Sequence, residues 1–191
     1  MQANPTRVAY VAHLPNEPEC QGRRIRPMCR RVLAAGGTPG QDGIRAATTA
    51  LPGDEPFGCS SMVASRKQYD TPGYRRHCRK LAKGVVDLVT MHQDAGYGIV
   101  IIALDGSPSS GIRLTSTNAS WGGRPEGAVN GGSERRPGMG ISMEELKFKF
   151  EARGLSFPRA TGVAMDAQDF NLDKAMVEFD SFLLGEEVTA T

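Results

Sequence analysis

Apolar positions recur along this chain in two rhythms, short β-favouring runs and longer stretches at helical spacing. Arg7 to His13 carries Val8, Tyr10 and Val11 and is closed by Pro15-Asn16-Glu17-Pro18, which predicts a strand. A helix is expected from Ile25 to Ala35, with Met28, Cys29, Val32 and Leu33 on its apolar side and Gly36-Gly37 at its end. From Thr38 to Ser65 the chain is rich in Gly, Pro, Ser and Thr without clear periodicity, and it reads mostly as loop with one short strand leading to Phe57. The next element is the clearest. Asp70 or Thr71 caps a helix, Pro72 suits its first turn, and Tyr74, Cys78, Leu81, Val85, Leu88 and His92 recur as one buried face. Cys78 and His92 lie on that face, so both read as packing residues. Gly96 ends the helix, and the Ile-Val-Ile-Ile run within Tyr97 to Leu104 suits a strand covered on both faces.

The loop after that strand is Asp105-Gly106-Ser107-Pro108-Ser109-Ser110-Gly111. Ligands of open α/β sheets bind at this carboxyl edge. Three hydroxyls, two glycines and free backbone N–H groups would hold an anion or a polar heterocycle there; the alternative is an ordinary Gly/Ser/Pro turn. A P-loop is excluded, because the Gly-Lys-Ser/Thr ending is missing. Thr115 to Gly140 is a second Gly-rich stretch around the only tryptophan, Trp121, and a loop of that length is expected to be a lid or disordered. Ser142 and Glu145 read as a capping box for a helix through Met143, Leu146 and Phe150 to Arg153-Gly154. Arg159 to Met165 is expected to be a last strand and Leu172 to Leu184 a last helix, with residues 185–191 fraying. The alternation of strand and helix predicts one α/β domain over residues 1–191, a mainly parallel sheet flanked by helices in a single compact unit.

Length and charge narrow the function classes. The chain has 191 residues, and its longest apolar run is far below the roughly 20 residues of a membrane helix. The amino terminus lacks the layout of a signal peptide, so a soluble cytoplasmic protein without a membrane partner is expected. Residues 1–95 hold 14 Lys and Arg against 8 Asp and Glu, whereas the rest hold 9 against 13. Much of the excess lies in Arg23, Arg24, Arg26, Arg30 and Arg31 and in Arg75, Arg76, Arg79 and Lys80. With aromatics at 6% and no stacking motif beside these arginines, they read as solvated helix faces rather than a nucleic-acid surface. The four cysteines, Cys20, Cys29, Cys59 and Cys78, form no close C-x-x-C pair and leave a disulfide or metal role open.

Three stretches in order carry a family resemblance: Tyr69-Asp70-Thr71-Pro72-Gly73-Tyr74-Arg75-Arg76-His77-Cys78-Arg79, Asp105-Gly106-Ser107-Pro108-Ser109-Ser110-Gly111-Ile112, and Gly138-Met139-Gly140-Ile141-Ser142-Met143-Glu144-Glu145-Leu146. Together with Val11-Ala12-His13 and Trp121-Gly122-Gly123, they make residues 7–166 resemble the TudS-type thiouracil desulfidases. The resemblance implies removal of sulfur from a thiolated nucleobase or similar small heterocycle. It also implies a four-iron four-sulfur cluster on three cysteines, with one iron open to the substrate sulfur; thiolates are the soft ligands such a cluster needs. Carried over by position, Leu14 stands where the family has its first cysteine, Cys59 is retained but followed by Ser60-Ser61, and Ser110 replaces the third. The expected cluster is therefore absent or abnormal, with Cys59 as the retained ligand and Cys20 as an outside candidate.

Three readings follow. A cluster-free enzyme would use Cys59 as nucleophile, His13 as base and Ser107 as a further catalytic group, with Ser107, Ser109, Ser110, Gly111 and Trp121 binding the substrate. A binding protein would keep the heterocycle pocket without turnover. A desulfidase with altered ligands would follow the family most closely.

Overall fold

A parallel sheet lies between two layers of helix. A computed structural model of the protein describes residues 7–13, 44–50, 65–117, 134–164 and 171–184, the side chains of 11–13 and 44–50 excepted. In chain order the elements are β1 (Arg7–His13), β2 (Ile44–Ala50), α1 (Arg66–Tyr69), α2 (Pro72–Asp94), β3 (Gly98–Leu104), β4 (Leu114–Thr117), β5 (Glu134–Pro137), α3 (Ile141–Glu151), β6 (Arg159–Val163) and α4 (Leu172–Leu184).

The four-stranded sheet has the order β2-β1-β3-β6, and every neighbouring pair in it is parallel. Such strands need crossovers, and helices supply the cover that a two-faced sheet requires. Along β1 and β3 the side chains alternate between faces. Val8, Tyr10, Ile101 and Ala103 pack with Ala82, Val85, Val86 and Val89 of α2 and Met143, Leu146 and Phe150 of α3. Ala9, Val100 and Ile102 face the other way, against Phe179, Phe182 and Leu183 of α4. The crossovers from β2 to β3 and from β3 to β6 both move the same way across the sheet. Their helices accordingly share one face, as a common handedness demands.

The predicted limits of β1 and α4 coincide with the observed ones, and β3 and β6 lie within their expected spans. Thr71 caps α2, its hydroxyl accepting from the Tyr74 N–H at 3.2 Å, with Pro72 in the first turn.

Four expectations change. Residues 44–50 form a strand inside the stretch read as mostly loop, because Ile44–Ala50 gains its order from pairing with β1 and carries no alternation of its own. The buried row of α2 runs through Tyr74, Cys78, Ala82, Val85, Val86 and Val89, whereas Leu88 is 45% exposed. Small Ala and Val side chains let the helix lie close on the sheet, and the larger leucine is turned outward. The ends of the second Gly-rich stretch are an antiparallel ribbon, β4 with β5. Finally, Gly140 is the N-cap of α3, so Ser142 sits inside the helix and makes no capping box with Glu145. The helix expected at Ile25 to Ala35, the strand leading to Phe57 and the frayed tail lie outside the described residues.

Candidate functional site

The strand order itself marks a place for a ligand. The chain steps from β1 outward to β2 and then back across β1 to β3, so the carboxyl ends of β1 and β3 border a topological switch point. His13 and Leu104 end these two strands, level with each other beyond the Val11–Ile102 pair. The Asp105–Gly111 loop begins there.

Asp105 organises this loop from beneath. It is 1% exposed, and its Oδ1 accepts from the N–H groups of Ile112 (3.0 Å), Arg113 (2.9 Å) and Leu114 (3.3 Å). Its Oδ2 accepts from Arg113 Nε at 2.9 Å, and Arg113 Nη2 donates to the Gly162 carbonyl at 2.7 Å. A buried carboxylate needs this many donors to offset its lost hydration. Gly162 on β6 is required as well, because a Cβ there would overlap the Asp105 carboxylate.

The serines are spent on the loop more than the sequence suggests. Ser107 Oγ accepts from the N–H groups of Ser109 (3.3 Å) and Ser110 (3.2 Å) and lies 3.2 Å from Ser109 Oγ. The Ser107 carbonyl accepts from Gly111 N–H at 3.1 Å and from Thr115 Oγ1 at 3.3 Å. Asp105, Gly106 and Ser107 donate their N–H groups to the carbonyls of Val163, Leu114 and Leu104. Every backbone N–H from Asp105 to Leu114 therefore has a partner within the protein, proline apart. The free N–H groups expected of an anion nest are not there.

The start of α3 is consumed in part. Ile141 and Ser142 donate their N–H groups to the carbonyls of Pro108 (3.0 Å) and Ser109 (2.9 Å), and Gly140 donates to Gly111 (2.9 Å). At this crossing a Cβ on Gly140 would run into the Ser109 backbone, and one on Gly111 into the Leu114 carbonyl. Gly111 is thus a structural close-approach residue of the loop.

Ser110 is different. It is 5% exposed, and its Oγ is buried with no hydrogen-bond partner. An unsatisfied buried hydroxyl costs about 1–3 kcal/mol, so the position is unfavourable until something bonds to it. Behind the loop, Tyr74 Oη lies 3.2 Å and Cys78 Sγ 3.5 Å from Ser142 Oγ, all three residues being buried. Burial pushes both the Tyr74 phenol and the Cys78 thiol up, which keeps the thiol protonated and unreactive.

The structure brings Ser107, Ser109, Ser110 and Gly111 together on the loop, and β1 ends at His13, two residues past its last pair with β3. The His13 side chain, Leu14, Cys20, Cys59 and Trp121 lie outside the described residues. Cys78 is a free buried thiol in a cluster with Tyr69, Tyr74 and Ile141, as its place on the apolar stripe implied. His92 is a packing residue with a polar edge, its Nδ1 lying 2.6 Å from the Tyr10 hydroxyl. Sequence reasoning passed over Asp105, although a carboxylate at the end of a buried apolar strand signals a satisfied internal charge.

The basic cluster on α2 also has an internal use. Arg75 meets Asp70 (2.6 Å), Glu145 (2.8 Å) and Glu144 (3.1 Å), Arg79 meets Glu145 (2.5 Å), and Arg66 meets Glu144 (2.6 Å). These pairs tie α1, α2 and α3 together and set Arg66, Arg75 and Arg79 against acidic side chains.

Among the described residues, no group of three His, Cys, Asp or Glu side chains is arranged to hold a metal ion. Ser110 is the described one of the three positions where the resemblance would place a cluster cysteine, and a neutral hydroxyl does not fit a site that needs a thiolate. Among the described residues, no helix is long and apolar enough to cross a membrane. The chain matches no family model, no curated protein and no solved structure.

Proposed function

We propose that this chain is a TudS-like protein that takes a thiolated nucleobase or similar small heterocycle at the serine loop, through a site that does not hold the family's usual iron–sulfur cluster. The observation that carries the reading is Ser110: its hydroxyl is buried and unpartnered at the switch-point edge, where the resemblance implies a cluster cysteine. A hydroxyl can donate one hydrogen bond to a carbonyl or thiocarbonyl and accept one from a ring N–H. It cannot replace a thiolate as a soft ligand. In this reading the chain's own groups bind and orient the heterocycle, and the Asp105–Arg113 pair keeps the loop in shape for it.

Binding without turnover is one form of this reading, in which the loop's groups hold the heterocycle; Cys78, buried and held protonated, is not a nucleophile in either form. The cluster-free enzyme with Cys59 as nucleophile and His13 as base is the alternative that experiment must separate from it.

Two measurements on the full chain make the test. Anaerobic reconstitution with iron and sulfide is expected to leave the protein colourless and free of bound iron; a brown protein with stoichiometric iron would overturn the cluster-free reading. Titration with 2-thiouracil and uracil is expected to show saturable binding, and its absence would remove the heterocycle assignment. Sulfide release from 2-thiouracil that is lost in Cys59→Ala would establish the enzyme over the binding protein.

A further inference from the structure

We infer that the serine-loop site selects uncharged ligands and discriminates against phosphate and carboxylate groups, with the Ser110 hydroxyl as the group that recognises them. The inference deepens the proposed function and rests on its placing of the ligand at this loop.

A Gly- and Ser-rich loop at the carboxyl edge of a parallel sheet ordinarily binds anions through free N–H groups and a helix N-terminus. Here the loop's N–H groups are used up, and so are the first two of the helix. The N–H groups from Asp105 to Leu114 are bonded within the protein, and the Ile141 and Ser142 N–H groups of α3 are bonded to the Pro108 and Ser109 carbonyls. Arg113, the nearest cation in sequence, is paired with the buried Asp105 carboxylate, so the two charges cancel. An anion entering the loop would give up its hydration and find, among the described residues, no set of free loop N–H groups to replace it.

Ser110 Oγ supplies what a neutral ligand needs. It is buried and unpartnered and can act as donor or acceptor toward the polar edge of an uncharged ring. A single hydroxyl satisfies one such edge but cannot neutralise a charge.

A saturation-transfer NMR screen of the full chain tests this, followed by titration calorimetry of the binders. The panel pairs uracil and 2-thiouracil with orotate, uridine with its 5′-monophosphate, neutral acyclic amides with the matching carboxylates, and includes inorganic phosphate. Binding of the neutral member of each pair is expected, with the charged member at least about tenfold weaker and phosphate not competing. Ser110→Ala is expected to weaken neutral ligands by about threefold to tenfold. Because that change deletes an unsatisfied hydroxyl, thermal stability should hold or rise, which separates lost binding from lost fold.

Charged members binding as tightly as neutral ones would overturn the charge selectivity, and Ser110→Ala leaving affinity unchanged would overturn Ser110 as the recognising group; neither outcome removes heterocycle binding. Neutral amides binding through Ser110 where the pyrimidines do not would sink the heterocycle reading and leave the selectivity intact. A panel with no binder at all would overturn both.

Discussion

At the scale of single residues, the site depends on which polar groups are already satisfied. Asp105 shows the point. One buried carboxylate receives three backbone N–H groups and the Arg113 guanidinium, and this fixes the turn that carries the serines. Asp105→Ala would leave those donors without their partner. The expected loss is about 3–5 kcal/mol of unfolding free energy, read from urea denaturation. A loss below about 1 kcal/mol would mean that water replaces the carboxylate and that the loop does not depend on it. Ser110 is the converse case, a hydroxyl that folding leaves unsatisfied. The presence of serines in the loop was legible in the sequence. Which of them remains available was not, because Ser107 is consumed by the N–H groups of Ser109 and Ser110 through a turn that forms only in the folded chain.

At the scale of elements, α2 carries the clearest sequence signal and also its clearest misassignment. The helical period, the Thr71 cap and the Pro72 start are all local, and all are observed. Periodicity alone nevertheless turns the buried face toward the large residues Leu81 and Leu88. Val89 is fully buried, whereas Leu88 is 45% exposed, since the neighbours across the interface set the face. Val89→Ala is accordingly expected to cost about 2 kcal/mol and Leu88→Ala less than about 0.5 kcal/mol, compared by denaturant midpoints at constant slope. The reverse order would mean that Leu88 is covered by another surface. Strand β2 makes the complementary lesson: its Ala and Thr residues lack a β pattern, and it becomes a strand by accepting the register of β1.

For the whole molecule, ionisable groups pull stability down at both ends of the pH range. Burial raises the Glu145 carboxyl, but its bonds to Arg79 and Arg75 outweigh this and hold it below the usual 4.5; the Arg75 bond likewise holds Asp70 below 3.8. A carboxyl depressed in the folded state adds stability that is complete above its unfolded value and is lost as pH falls through the folded one. Wild-type stability should therefore drop as pH falls below about 4.5. Glu145→Gln should be less stable near neutrality and show a shallower acid loss, followed by urea midpoints across that range; an unchanged acid slope would remove Glu145 as a contributor. On the alkaline side the buried Cys78 thiol is raised above its ordinary 9.0, so the unfolded chain ionises first and stability falls as pH rises past that value.

The sequence by itself determined the alternation of strand and helix, the α/β class, the limits of β1 and α4 and the start of α2, because periodicity, caps and breakers act over a few neighbouring residues. It also marked the serine loop, since small polar residues after a buried strand are a local pattern. The tertiary structure decided the strand order that makes this edge a switch point, the face that α2 buries and the joining of Arg66, Arg75 and Arg79 to Glu144 and Glu145. It alone showed that the loop's N–H groups are spent and Ser110 is not. Those outcomes depend on partners dozens of residues apart, and a hydrogen bond made at one site is no longer available at another.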